Sequence, residues 1–349
     1  MTEPHEPEVL FERRGQLGHI ILNRPRAINA LTTDMVLAIQ PQLDAWADDD
    51  SVATVLITGA GERGLCAGGD IVSMYNDAKS GNLANSARFL SNEYRLNSAI
   101  ANYPKPYVAI MDGIVLGGGI GLSAHGSHRV VTERSKIGMP ETGIGFFPDV
   151  GGTWLLSHAP GELGTHLALT AGSVGAGDAI AAGLADHYVP SGRLAALVTA
   201  LETTDAESAV RQAAMPAPES ALAARRAVID EAYSAPTAAE IVDWLGTDPA
   251  AADILSKSPT AVSVTFEALR RAKSLPSLEA ALAQEYRMAL RSLRAPDFAE
   301  GVRAQVIDKD RRPKWSPPTL GEVRPVDVAA YFESLGDEEL VLPTKEGRS

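Results

Sequence analysis

Apolar positions keep one rhythm over the first half of the chain and another over the second. Short β-rich runs at 8–13 and 18–23 flank the glycine-containing link Arg14–Leu17, which predicts a hairpin. Thr32 or Thr33 then suits an N-cap, and Met35, Ile39, Leu43 and Trp46 hold helical spacing to about Ala47. Pro41 inside that span predicts a kink or a restart. The runs 52–58 and 107–112 are apolar without alternation, as in parallel strands buried on both faces, and 128–132 is a third strand. The first two lead to glycine turns, Leu65–Ile71 and Gly117–Gly121, each followed by helical sequence. Between them a helix over about 86–102 carries the stripe Phe89, Leu90, Leu96, Ile100. Strands alternating with helices through such turns predict an α/β domain. Past Leu155 the strand signals fade. Helices are expected at 163–170 and 176–184, an edge strand or connector at 185–189, and a boundary at Pro190–Gly192. From Arg193 the chain is Ala-, Glu- and Arg-rich and reads as helical, with breaks at Pro216–Pro218 and Ser258–Pro259. Residues 311–318 read as a proline-rich extended arm. The expected division is thus 1–190 as the α/β unit and 191–349 as a helical region.

Charge narrows the partners. A formal net charge of −13 argues against nucleic acid, because phosphate neutralisation needs a basic surface. An anionic ligand would need a local Lys/Arg cluster or backbone N–H groups. The lone cysteine, Cys66, excludes an intramolecular disulfide and a multi-cysteine metal site, and fits a reducing compartment. Residues 1–8 are acidic without an apolar core, unlike a signal or transit peptide, and no apolar run approaches ~18 residues, so no membrane span is expected. The expected setting is the cytoplasm.

The stretch 139–154 holds two acids, Glu141 and Asp149, among glycines, prolines and two phenylalanines. It must turn and fold over something. Its acids are either a tuned acid or base or caps on neighbouring helices. Glu93 falls on the core side of the 86–102 helix, where a carboxylate must be partnered, for instance by a core arginine, or used. The two glycine turns can aim backbone N–H groups at an anion, or simply allow tight strand–helix packing. Gly117–Gly121 does not complete a dinucleotide fingerprint, because Leu122 stands where the third glycine belongs. Cys66 lacks a histidine partner and reads as structural. His125 and His128 lack a third ligand, so no metal is expected. Asp70 reads as a helix cap, and Trp154, Leu155 and Leu156 as core.

Four ordered motifs, 22–31, 66–70, 112–121 and 140–152, resemble the enoyl-CoA hydratase/isomerase (crotonase) superfamily over roughly residues 8–190, with a weaker continuation to the C-terminus. Within it, Asn92–Asn97, the Gly-Gly-Gly-Ile-Gly run and the long block 141–152 resemble the 3-hydroxyisobutyryl-CoA hydrolase branch. The resemblance implies a crotonase-like ββα superhelix with a helical C-terminal region. It implies an oxyanion hole from the N–H groups of Gly69 and Gly118, Glu141 and Asp149 as acting carboxylates, and Glu93 as an acyl-site contact. Arg24, Arg26 and Ala27 match the segment that holds the nucleotide end of coenzyme A. Gly121 stands where two-glutamate hydratases carry their other acid. The implied activity is hydrolysis of an acyl-CoA thioester, 3-hydroxyisobutyryl-CoA of valine breakdown, with coenzyme A as part of the substrate and no separate cofactor. The alternatives are an enoyl-CoA hydratase or isomerase, and a catalytically silent acyl-CoA-binding protein. Family members form trimers or hexamers, with a monomer left open here.

Overall fold

The computed structural model describes residues 6–343. The reading of residues 1–8 therefore falls mostly outside the described residues. In one sheet β1 (Val9–Arg14), β2 (Leu17–Leu22), β3 (Thr54–Gly59), β4 (Tyr107–Met111), β6 (His128–Val131) and β9 (His187–Tyr188) lie side by side in that order. The β1–β2 pair is the expected hairpin, closed at Gly15 with φ 59°, and the remaining pairings are parallel. A smaller sheet joins β5 (Ile114–Leu116), β7 (Lys136–Gly138) and β8 (Ser173–Val174).

The unalternating runs are explained by what covers each face. Val55, Ile57, Ala109, Met111 and Val131 enter the main core. Leu56, Val108, Ile110 and Val130 point to the opposite face, where Leu197, Leu201, Ala209 and Val210 cover them. Those last four come from the helices Leu194–Leu201 and Ala206–Ala213. Each large aliphatic side chain buried in this way contributes roughly 1.5–3 kcal/mol. The later helices complete the main core: Pro259–Ala272 packs on Gly152–Ser157, and Leu278–Arg294 packs on Ala84–Ala101.

Two local expectations need adjusting. The Thr33–Ala47 helix, capped by Thr32 accepting from the Met35 N–H, runs through Pro41 without restarting. Pro41 is exposed, as is Leu37 four residues before it, whose carbonyl loses its N–H partner. The 311–318 arm has no regular structure, but it is docked. The N–H groups of Lys314 and Ser316 donate to Glu300 and Asp297, both at 2.8 Å. The indole of Trp315 donates to the Ser256 carbonyl at 3.3 Å.

Candidate active site

The two glycine turns meet because backbone hydrogen bonds zip them together. Cys66 N–H donates to the Ile114 carbonyl at 3.2 Å, and Leu116 N–H returns a bond to the Cys66 carbonyl at 3.0 Å. Just beyond this register the chain reaches Gly68, φ 110°, and Gly117, φ 49° and ψ −117°, conformations that need glycine. Each turns the next peptide, so the donors at issue are the N–H groups of Gly69 and Gly118. A Cβ placed on Gly118 would lie 3.4 Å from the Gly69 nitrogen, and one on Gly68 would lie 3.9 Å from the Gly118 nitrogen. Neither N–H donates to another backbone group, and Gly118 opens the Gly118–Ser123 helix, whose positive end adds to the field.

Carboxylates close over this pair. A Cβ on Gly117 would be 2.6 Å from Glu141 Oε1, and one on Gly118 would be 2.7 Å from Glu93 Oε1. Glu93, Glu141 and Asp149 are 2, 8 and 7% exposed, and all line one cavity of about 580 Å³. Glu93 does not pair with a core arginine: its Oε1 is buried without a hydrogen-bond partner, as is Glu141 Oε2. Asp149 Oδ2 accepts the Tyr94 hydroxyl at 2.8 Å. Burial raises the Asp149 carboxyl to about 7 against the opposing pull of the Tyr94 bond. Burial, and after it the Asp149 charge, lifts both Glu93 and Glu141 well above the usual carboxylate range. Neither acid in 139–154 caps a helix: the Glu141–Ile144 and Gly152–Ser157 helices begin after Pro140 and Gly151, without a side-chain cap from either residue.

Gly121 is a filled position. A Cβ there would lie 2.7 Å from both Asn97 Nδ2 and Val150 Cβ, so no longer side chain fits without rearrangement. Cys66 is fully buried, and burial pushes its thiol up to about 12, which removes it as a nucleophile at neutral pH. Asp70 caps the Ile71–Ser80 helix, as expected. His125 bonds the Val150 carbonyl at 2.8 Å, while His128 stacks on His187. Among the described residues no cluster of His, Cys, Asp and Glu could hold a metal ion.

The segment expected to hold coenzyme A is only partly at the cavity. Arg24 and Ala27 line it, whereas Arg26 is exposed and does not. Arg24 also has partners within the protein, Glu8 at 3.1 Å and Asp70 at 3.6 Å. Sequence reasoning missed Tyr94, and it missed Lys257, Phe298 and Gln305, which line the cavity from the C-terminal region. Tyr94 could have been found, since it lies inside the Asn92–Asn97 motif. The other three carry no local signal.

Two backbone N–H groups without backbone partners thus face three buried carboxyls across one cavity. The chain belongs to the enoyl-CoA hydratase/isomerase family, whose profile matches residues 17–332. The 3-hydroxyisobutyryl-CoA hydrolase, mitochondrial, of Danio rerio is 42% identical over 98% of this chain and 94% of its own length. That of Homo sapiens is 40% identical over 95% and 90%. Among solved structures, a carnitinyl-CoA dehydratase from Mycobacterium thermoresistibile matches with TM-score 0.93 and 50% identity, covering 96% of this chain and 99% of its own. An enoyl-CoA hydratase from Rhodobacter sphaeroides 2.4.1 matches with TM-score 0.90 and 42% identity, covering 96% and 100%. The crotonase-like fold expected from the motifs is the one found.

Proposed function

We propose that this protein is an acyl-CoA thioester hydrolase that converts 3-hydroxyisobutyryl-CoA and water to 3-hydroxyisobutyrate and coenzyme A. One observation carries the reading: Glu141 Oε1 stands over the Gly117–Gly118 turn while the hydratase position, Gly121, is filled by Asn97 and Val150. This supports a carboxylate acting at the carbonyl, with none at the position where two-glutamate hydratases carry their other acid. In this mechanism the thioester oxygen sits between the Gly69 and Gly118 N–H groups, a pair worth roughly 3–4 kcal/mol per donor in the transition state. Ionised Glu141 attacks the carbonyl carbon, giving a mixed anhydride that water opens, or it takes a proton from water as water attacks. Either way the C–S bond breaks and the thiolate leaves to be protonated. The water oxygen ends on the acyl carbon when water attacks it, or on Glu141 when water opens the anhydride at the glutamyl carbonyl and a Glu141 oxygen leaves with the acid. Asp149 accepts the acyl 3-hydroxyl, and Glu93 closes the same end of the cavity. Arg24 and Ala27 lie toward the coenzyme, with Arg26 outside the cavity to meet its phosphates. In this reading the 1–190 unit carries the reacting groups, and the 191–349 region, of which residues up to 343 are described, is the helical part that buttresses them.

Assaying thiol release and enoyl absorbance over a small panel of acyl-CoAs separates the readings. Fast thiol release from 3-hydroxyisobutyryl-CoA is expected, with little hydration of crotonyl-CoA. Brisk crotonyl-CoA hydration without thiol would favour the hydratase reading suggested by the names of the two structural relatives. Coenzyme A binding with no turnover on any substrate would favour a silent binding protein. The proposal needs no cofactor beyond the coenzyme A of the substrate. No helix of the described residues is long and apolar enough to cross a membrane. The cytoplasmic setting belongs to the proposal, whereas the curated relatives are named as mitochondrial, and fractionation of source cells decides between them. Light scattering decides between trimer or hexamer and monomer.

A further inference from the structure

We propose that Glu285 is a positioning residue for Asp149, fixing from the Leu278–Arg294 helix the turn that aims the Asp149 carboxyl into the cavity. The inference rests on the reading that Asp149 holds the acyl hydroxyl. Directly after Asp149 the backbone is strained. Val150, a β-branched residue, has φ 53°, and Gly151 has φ 80°. A non-glycine residue held there costs of order 1–3 kcal/mol and persists only if its surroundings over-determine it.

Glu285 supplies that determination. It is fully buried, and its carboxylate accepts the Gly151 N–H at 2.7 Å, the Thr153 N–H at 3.0 Å and the Thr153 hydroxyl at 2.5 Å. His125, just past the Gly118–Ser123 helix, bonds the Val150 carbonyl from the other side at 2.8 Å; since that carbonyl only accepts, the ring nitrogen donates. The Gly152–Ser157 helix begins here and needs its first N–H groups capped. Asp149, three residues before it, is the residue type that normally does so. Glu285, 134 residues away from Gly151, takes the N–H of that N-cap residue and the Thr153 N–H of the first turn, while the Gly152 N–H goes to the Asp149 backbone carbonyl at 2.6 Å. The Asp149 side chain is thereby spared from capping and left with the Tyr94 hydroxyl and the cavity.

The test compares 3-hydroxyisobutyryl-CoA with isobutyryl-CoA, which lacks the hydroxyl, by thiol release from the full-length protein. Wild type should prefer the hydroxylated substrate strongly in kcat/KM, because a site built to pair a hydroxyl rejects its absence. Asp149→Asn should collapse that ratio. Glu285→Gln keeps the shape but offers an N–H where an acceptor stood, and should lower the ratio by about tenfold. Thr153→Val, which leaves Glu285 in place and removes its hydroxyl partner, should lower it by a few fold and serves if the glutamine variant folds poorly. A purely structural role predicts that both substrates lose activity equally. If Asp149→Asn collapses the ratio while Glu285→Gln and Thr153→Val leave it unchanged, the positioning role falls and the role of Asp149 stands. If Asp149→Asn itself leaves the ratio unchanged, the reading of Asp149 falls, and this inference with it.

Discussion

The two walls of the cavity are made by different means. The amide wall is local backbone: Gly68 and Gly117 adopt conformations reserved for glycine, and the zipped bonds between the two turns put the next two N–H groups side by side. The acid wall is assembled by packing. Glu93 comes from a helix, Glu141 from a short 3-10 turn, and Asp149 from a strained corner whose hydrogen bonds come from a distant helix. A backbone wall is damaged by adding one atom, an acid wall by changing one charge or one neighbour. The largest effect should come from the acid side. Glu141→Gln keeps size and burial but removes the proposed nucleophile or base, and thiol release should fall about a thousandfold or more while coenzyme A still binds. Wild-type turnover in that variant would sink the mechanism.

The amide wall is tested next by Gly117→Ala. The added Cβ would lie 2.6 Å from Glu141 Oε1 at φ 49°, so it displaces the acid and distorts the Gly118 donor together. Loss of one such donor costs about a hundred- to a thousandfold in kcat. If the loss appeared in KM alone, the amide would be holding the ground state and not the developing oxyanion.

These two walls were also unequally legible in the sequence. Glycine pairs after apolar strands announce a turn, and the ordered motifs gave Gly69, Gly118, Glu141 and Asp149 their places. The sheet was readable for the same reason: β3 and β4 are buried on both faces, so their apolar runs do not alternate. Glu93 was visible as a misplaced acid on an apolar stripe, but periodicity alone could not say whether an arginine neutralised it. Lys257, Phe298 and Gln305 were invisible, since only the packing of the late helices brings them to the cavity. Glu285 was equally hidden, one glutamate among many in helical sequence. The sequence did not show that the helix would run on past Pro41 without restarting, because the position is exposed and exposure cannot be read from one residue.

A smaller effect separates Asp149 from its support. Tyr94→Phe removes the hydroxyl that donates to Asp149 Oδ2 at 2.8 Å, a bond that favours the ionised carboxyl. The Asp149 carboxyl, already raised to about 7, should rise further. Since the ionised form accepts the acyl hydroxyl in the proposed complex, the acid limb of kcat/KM should move to higher pH. Turnover at neutral pH should fall about tenfold, within the range of a lost hydrogen bond to a charged group. An acid limb that stayed in place would mean that Asp149 is not the group titrating in it.

The smallest expected effect is on stability, and its sign follows from the same burial. Asp149 titrates at about 7 and Glu285 at about 8 in the folded chain, against ordinary carboxylate values once unfolded. The folded state thus binds more protons than the unfolded one across this window. The stability these groups contribute is fully present below the unfolded values and is lost as pH rises through the folded ones. The buried histidines His19, His125 and His166 are lowered from 6.5 to about 4, so they act in the opposite sense, losing stability as pH falls below 6.5. Above pH 6.5 the acids are left to set the slope. The Tm of the ligand-free protein should therefore decline from pH 6.5 to 8.5, and Asp149→Asn, which cannot ionise, should lessen the part of that decline up to about pH 7 and leave the part set by Glu285. A proton bound in one state only stabilises that state as pH falls, so at pH 8.5 the variant should melt above wild type. An unchanged slope would show that Asp149 ionises in the folded chain as easily as in water, contrary to its burial. The amide wall carries no titrating group, so Gly117→Ala should leave the slope as it is, and the two walls differ in this measurement as they do in turnover.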